Sequence, residues 1–276
     1  GLGDVYKRQG RRRGVRLWAA WRVEKSFDNA CVRMLCWYKL AEGAMEHGLG
    51  RRPSPPDARD YPVCRFGQQV GEMRYRMRRI GRGKPDIEWV SEVVLDQGKT
   101  PHCVGFSFAG FGNVLPVDSR MTDEDGHRIY RSAKIIDGTP ESVEGATIRS
   151  GAKAYRNIGR INAYAFSKDL DEIKAWVQTY GSVVVGTLWK ETMNYPDYNT
   201  GLVQCKGEIV GGHAYLLTGY SVSTDTFTFL NSWGAGWGKR GRFRCKVKEW
   251  WDLFRENDDG ESLMAIELPI EHWDEE

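Results

Sequence analysis

The sequence has few of the residues that bind metals or nucleotides. Only five histidines and six cysteines occur among 276 residues, with no Cys-x-x-Cys pair and no histidine at ligand spacing, so a structural zinc site is not expected. The segment Gly81-Arg82-Gly83-Lys84 is poor in glycine and lacks the Ser/Thr of a phosphate-binding P-loop. The sequence therefore predicts neither a metal site nor a cofactor.

Long apolar runs are also missing. No stretch reaches the roughly 18 apolar residues of a membrane span, and Leu17-Trp18-Ala19-Ala20-Trp21 is too short and too closely flanked by arginine for a signal peptide. The chain is nevertheless 41% hydrophobic and holds 11 Trp and 12 Tyr, which suffices for a substantial core. We therefore expect a folded domain, no membrane partner and a cytoplasmic location.

Charge is divided unevenly along the chain. Residues 10–84 carry 18 Lys+Arg against 7 Asp+Glu, whereas residues 85–276 carry 20 against 29. A dense basic run in the first part is most often a solvated, mobile face. It also fits an inhibitory arm on the acidic part and, less well, nucleic-acid contact, so nucleic acid is an unlikely partner. The run consists of Arg74, Arg76, Arg78, Arg79, Arg82 and Lys84.

Four residues indicate thiol chemistry. Cys103, His213 and Asn231 occur in that order, and Gln97 lies six residues before the cysteine. A thiol is a good nucleophile only as thiolate, so it needs an imidazole, whose ring in turn needs a neighbour to orient it. A Gly/Pro loop before Cys103 predicts a helix with the thiol in its first turn, where the positive helix end lowers a thiol pKa and binds an oxyanion.

The histidine and asparagine lie in strand-like segments. His213 follows two glycines in the apolar segment Val210–Tyr220, and Asn231 lies in Phe229-Leu230-Asn231-Ser232-Trp233-Gly234-Ala235-Gly236-Trp237-Gly238. The spacing fits two paired strands joined by the polar turn Ser221–Thr226. Both side chains would then lie at one end of a sheet.

Together these blocks resemble the papain family of cysteine peptidases. The resemblance implies that Gln97 donates to the oxyanion, that Asn231 orients the imidazole, and that Trp233 shields their hydrogen bond, with Gly212 as a supporting residue. It also implies an α+β, two-lobed papain-like fold. A helical lobe would carry the cysteine, and an antiparallel β-barrel-like lobe would carry the histidine and asparagine. An extended polypeptide would bind in the cleft of a monomer.

The chain departs from the plant and lysosomal members. It lacks their Cys-Gly-Ser-Cys-Trp signature, and His213 and Asn231 follow Cys103 by 110 and 128 residues, fewer than the usual roughly 130–150. No Cys-Asn-Gly-Gly block is present, and Glu144–Thr147 is nearest to its place. The compact chain is more similar to bacterial and phage papain-like peptidases, so substrate preference cannot be transferred.

The remaining histidines receive structural interpretations. His102 is expected on the cleft rim, because neighbouring residues at a helix entry point in different directions. His127 is expected in a solvated polar turn, and His47 and His272 on the surface.

Periodicity predicts the other elements. Helices are expected at Glu144–Ile158 and, capped by Ser167, at Lys168–Tyr180. Strands are expected at Ser182–Trp189 and Ser262–Leu268.

The predicted organisation has three parts. Residues 1–9 include Asp4-Val5-Tyr6-Lys7-Arg8-Gln9, which reads as a translated sequencing-adapter scar. Residues 10–85 form a basic leader or prosegment, with Met45 as a candidate start, and residues 86–276 form the peptidase domain. The expected reaction is peptide-bond hydrolysis through an acyl-thioenzyme. A cell-wall amidase or endopeptidase and a catalytically silent papain-fold scaffold remain open.

Overall fold

The computed structural model describes residues 47–58, 60, 86–115, 117, 119–140 and 142–266. The adapter scar, the candidate start at Met45, the basic run of residues 74–84 and His272 lie outside these ranges. In the described part, no helix is long and apolar enough to cross a membrane.

The described residues form five α-helices and nine β-strands. The helices are α1 Cys103–Asn113, α2 Asp123–Asp137, α3 Ile148–Asn157, α4 Leu170–Thr179 and α5 Val247–Arg255, with 3₁₀ turns at Glu191–Asn194 and Glu256–Asp258. The strands are β1 Arg51–Arg52, β2 Ile87–Glu88, β3 Ala146–Thr147, β4 Ala163–Phe166, β5 Val183–Lys190, β6 Ile209–Ser221, β7 Thr226–Leu230, β8 Arg242–Lys246 and β9 Glu261–Ile266.

The main sheet is antiparallel and open. Its strand order is β4-β9-β5-β6-β7-β8, with β2 paired to β6, while β1 and β3 form a separate parallel pair. The predicted α+β papain-like class is confirmed. Among the described strands the sheet does not close into a barrel, because β4 and β8 lie at opposite ends of the order and do not pair.

Both faces of the sheet are buried. Successive side chains of a strand point to opposite faces, so Tyr215 and Leu217 enter one apolar core while Ala214 and Leu216 enter the other. Helices α4 and α5 cover the first face, and α1, α2 and α3 cover the second. This explains the near-continuous apolar run of β6. His213 lies on the same strand and the same face as Tyr215, and its ring contacts Trp189 and Trp233.

Two helix starts differ from the sequence expectations. The predicted cap Ser167 is wrong, since the Asp169 side chain accepts the N–H groups of Asp171 and Glu172 at 2.8 and 3.1 Å. Ser167 instead donates to the Glu172 carboxylate at 2.7 Å. The first residues of the predicted Glu144–Ile158 helix are replaced by β3, and Thr147 caps α3.

The predicted polar turn around His127 is also wrong. Residues 123–137 form α2, which begins with a capping box between Thr122 and Asp125. The Thr-x-x-Asp spacing is a helix start signal. The acidic residues that follow Thr122 are also typical of a polar turn, so the sequence did not distinguish the two structures.

Candidate active site

Cys103 is the first residue of α1 and is fully buried. Burial raises the pKa of its thiol, and the nearby backbone N–H groups of Ala214, Gly50 and Val104 act in the opposite direction. Ala214 directly follows His213 in β6, so the start of α1 lies against the histidine strand. The predicted position of the thiol in the first turn of a helix agrees with the structure.

One nitrogen of the His213 imidazole is hydrogen-bonded to Asn231. Its Nε2 lies 2.8 Å from Oδ1 of Asn231, which also accepts the backbone N–H of Ser232 at 2.8 Å. The rings of Trp233 and Trp189 each lie 4.8 Å from the imidazole. Within the described residues, Nδ1 of His213 has no hydrogen-bond partner. The ring is therefore oriented and shielded while one nitrogen stays available.

The Gln97 side chain is held in place through its amide oxygen. Ser232 Oγ donates to Gln97 Oε1 at 2.7 Å, and the Gln97 backbone N–H donates to the Ser232 carbonyl at 2.9 Å. Its Nε2 donates to the carbonyls of Thr100 at 2.7 Å and Gly48 at 3.1 Å. The amide N–H is thus presented to peptide carbonyl oxygens.

Residues His47–Arg52, here called the cleft segment, cover this site. The Gly48 carbonyl also accepts Nε1–H of Trp233 at 3.3 Å, and the His47 ring stacks on that tryptophan at 4.7 Å. The Gly50 N–H donates to the Gly212 carbonyl at 3.2 Å, and the Gly50 carbonyl accepts the Ala146 N–H at 2.9 Å. The expected surface position of His47 is wrong, because its ring packs against this tryptophan.

The cleft segment packs so closely against the backbone of the loop before α1 that two of its positions require glycine. A Cβ atom on Gly48 would lie 2.0 Å from the Thr100 carbonyl oxygen, and one on Gly50 would lie 2.1 Å from that of Pro101. In β6, a Cβ atom on Gly212 would lie 2.3 Å from the Arg51 carbonyl oxygen of the cleft segment. The supporting role expected of Gly212 therefore has a physical basis in backbone packing.

Burial controls the protonation of the site in this covered state. It raises the pKa of the Cys103 thiol to about 11, although the surrounding N–H groups act in the opposite direction. Burial also lowers the pKa of His213 to about 4, against the effect of the Asn231 hydrogen bond. The lowered thiol pKa expected from the helix end is thus wrong for the covered site, since loss of water outweighs the helix terminus.

The pH dependence of thiol reactivity follows from these shifts. Because the folded thiol pKa lies above its usual 9.0, the covered chain holds Cys103 neutral at pH 7. We expect alkylation of Cys103 by iodoacetamide, quantified by mass spectrometry, to be slow at pH 7 and to rise between about pH 9 and 11. A constant fast rate from pH 6 upward would show that an ion pair survives beneath the cleft segment.

His102 contacts α2. Its Nδ1 lies 2.6 Å from Nδ1 of His127, and its ring stacks on Tyr130 with centroids 3.8 Å apart. Burial, with a contribution from His127, lowers the pKa of His102 to about 4. The half-buried position of His127 contradicts the expected solvated one.

Three residues of the site were not indicated by the sequence. Arg51 forms ion pairs with Asp259 and Glu261, which are 208 and 210 residues away along the chain. Neither carboxylate lies in a recognisable motif, and residue 51 lies in the predicted leader. Only folding brings these charges together.

Comparison with known proteins supports this assignment of the fold. The model of the papain family of cysteine proteases matches residues 132–252, a range that includes His213 and Asn231. The structure is similar to that of xylellain, a cysteine protease from Xylella fastidiosa, with a TM-score of 0.64 and 18% identity over 84% of this chain and 100% of that one. For procathepsin B S9 from Trypanosoma congolense, the TM-score is 0.56 and the identity 10%, over 88% and 99% of the two chains.

Curated relatives match shorter stretches. Human cathepsin O is 33% identical over 103 residues, 36% of this chain and 30% of that protein. The Caenorhabditis elegans cathepsin B-like cysteine proteinase 3 is 29% identical over 99 residues, 35% and 24% of the two chains. The matches thus span less than a third of these relatives. The family match and the fold confirm the predicted resemblance to the papain family of cysteine peptidases.

Proposed function

We propose that the protein is a cysteine peptidase that hydrolyses peptide bonds through an acyl-thioenzyme. One observation supports this most strongly: the His213–Asn231 hydrogen bond leaves Nδ1 of the imidazole available, and Cys103 lies against the same strand. A thiol, a base and an orienting amide are the parts that nucleophilic acyl transfer requires.

Each residue has one role in the proposed reaction. The Cys103 thiol gives its proton to Nδ1 of His213, and the thiolate attacks the substrate carbonyl carbon. The developing oxyanion accepts hydrogen bonds from Gln97 Nε2–H and from the backbone N–H of Cys103. The imidazolium then protonates the leaving amine, and water, activated by the same imidazole, hydrolyses the thioester.

The leader is proposed to be a prosegment. Within its described part, the cleft segment uses Gly48 and Gly50 to occupy the hydrogen-bonding groups of Gln97, Trp233, Gly212 and Ala146. A substrate needs those same groups, so the segment and a polypeptide substrate exclude each other. The part of the leader beyond residue 60 contributes no observation to this proposal.

The alternatives predict different results in two assays. Covalent labelling by an epoxide inhibitor, mapped to Cys103, separates a peptidase from a silent scaffold, which would not react. Digestion of a denatured protein compared with purified peptidoglycan separates a peptidase from a cell-wall enzyme. Labelling with cleavage of peptidoglycan alone would reject the proposed substrate class.

Removing Gln97 or Asn231 should reduce turnover without abolishing it. We expect Gln97→Ala to lower kcat/KM by about 10²–10³, the usual effect of one oxyanion donor. Asn231→Ala releases Nε2 of His213 and is also expected to give partial loss. The measurement is the rate of peptide hydrolysis, with retained circular dichroism as the control for folding. Turnover equal to that of the unmodified chain in both variants would remove these residues from the mechanism.

The expectations about substrate form, oligomeric state, nucleic acid and cellular location are also proposals. The substrate is an extended polypeptide, the protein acts as a monomer, and nucleic acid is not a partner. A cytoplasmic location is part of the same proposal.

A further inference from the structure

Arg51 of the cleft segment occupies a closed acidic pocket beside the thiol. Its side chain is fully buried, and its guanidinium forms ion pairs with the Asp259 and Glu261 carboxylates. Nε donates to Glu261 Oε2 at 3.1 Å, and one terminal nitrogen donates to the same oxygen at 2.5 Å and to the Asp259 backbone carbonyl. The pocket thus satisfies most of the donors of a guanidinium.

The walls of the pocket belong to the cleft. A Cβ atom on Gly186 would lie 2.7 Å from Arg51 Nε and 2.6 Å from the Ile148 side chain, and one on Gly212 would lie 3.7 Å from Arg51 Cδ. The preceding residue, Gly50, donates its N–H to the Gly212 carbonyl at 3.2 Å and packs against the backbone of Pro101, two residues before Cys103. The pocket therefore begins within about two residues of the bond that the thiol would attack.

The two carboxylates require a cation. Their side chains are only 6% and 11% exposed, and like charges that close together inside a protein repel and lose solvation. Burial raises the pKa of Asp259, while Arg51 lowers it. The charge of Lys168 also lowers the pKa of Asp259. Its ammonium group, however, is hydrogen-bonded to the neighbouring Asp258 carboxylate at 2.6 Å. Arg149 also interacts with Glu261. When Arg51 leaves, the pair either accepts another cation or takes up a proton.

We infer that Asp259 and Glu261 are the specificity-determining residues of this peptidase and select substrates with an arginine or lysine side chain in the pocket now filled by Arg51. The inference deepens the proposed function and depends on it. A substrate backbone bonded to Gly212 and Ala146 would follow the path of Gly50, so the neighbouring side chain would reach the same carboxylates. The planar fork of arginine matches their arrangement better than the ammonium of lysine.

A binding experiment tests the pocket without requiring activity. In full-length Arg51→Ala, millimolar ethylguanidinium is expected to raise Tm by about 2–4 °C relative to neutral ethylurea. The unmodified chain should show no such difference, because Arg51 fills the pocket. Arg128→Ala is the matched control, since Arg128 pairs with Asp125 on the surface. Equal effects of ethylguanidinium and ethylurea on Arg51→Ala would overturn the inference.

A cleavage experiment tests specificity. The full chain and its Gly50→Ala variant would digest a denatured protein, and cleavage sites would be read by mass spectrometry. We expect arginine and lysine to be enriched at one position within two residues of the cut. In a synthetic peptide from the best site, replacing that arginine by citrulline, its neutral isostere, should lower kcat/KM at least about tenfold.

The acidic residues supply the decisive variants. In Glu261→Gln and Asp259→Asn, the ratio of kcat/KM for the arginine peptide to that for the citrulline peptide should fall toward one. An unchanged ratio, or cleavage with no basic preference, contradicts the inference while leaving the proposed peptidase intact. If no substrate is cut and Cys103 does not label, the proposed function fails, and the ethylguanidinium result alone decides whether the pocket binds guanidinium.

Discussion

Cys103→Ala is expected to abolish peptide hydrolysis and epoxide labelling while leaving the fold intact. The thiol is the nucleophile of the proposed reaction, and no neighbouring group can replace it. The change removes one buried atom from the first residue of α1, and a small-to-small substitution costs about 1 kcal/mol or less when no cavity opens. Activity and labelling would be measured beside circular dichroism and Tm.

The matched control is Cys205→Ala. Cys205 is half-buried, and its sulfur lies 3.4 Å from that of Cys245. This variant should keep both activity and labelling. Labelling in Cys103→Ala that maps to Cys205 or Cys245, or hydrolysis at the original rate, would reject the assignment of the nucleophile.

Gly50→Ala is expected to increase the reactivity of Cys103. The added Cβ would lie 2.1 Å from the Pro101 carbonyl oxygen, a backbone atom that cannot move aside easily. Overpacking of this kind costs about 1–3 kcal/mol, which corresponds to roughly 5–150-fold more chains with the cleft segment displaced. Water then reaches the thiol and imidazole, and the burial that opposes their charged forms is relieved.

The measurement is the rate of epoxide labelling at neutral pH in the full chain and the variant. Gly236→Ala is the matched control, because a Cβ at this glycine meets no atom within 4 Å, so its rate should equal that of the unmodified chain. A Gly50→Ala rate that is unchanged or lower, with folding retained, would show that the cleft segment does not limit access to the thiol.

Local sequence predicted the helix that begins at Cys103 and the strands at His213 and Asn231, because the signals of these elements are local. The start of α1 follows from a Gly/Pro loop before Cys103, and β6 and β7 are adjacent strands joined by a short turn. Pairing of Leu216 with Leu230 in register places His213 and Asn231 near one end of the pair. Such short-range pairing can be deduced from spacing alone.

The protonation of the site could not be predicted in the same way. The helix terminus favours a thiolate at Cys103, but complete burial of the sulfur has the larger effect and raises the thiol pKa. A pKa depends on everything within a few ångströms of the group, including residues far away in the sequence.

The sequence by itself determined the chemical class, the fold class and the identity of Cys103, His213, Asn231 and Gln97 as candidates. Only the tertiary structure decided that the cleft segment lies over these residues and that Arg51 meets Asp259 and Glu261 across more than 200 residues. The physical reason is that the blocks around the candidates have local signatures of helix start, strand and turn. A pocket of opposite charges, by contrast, has no sequence period and exists only once β1, β5, β6 and β9 have come together.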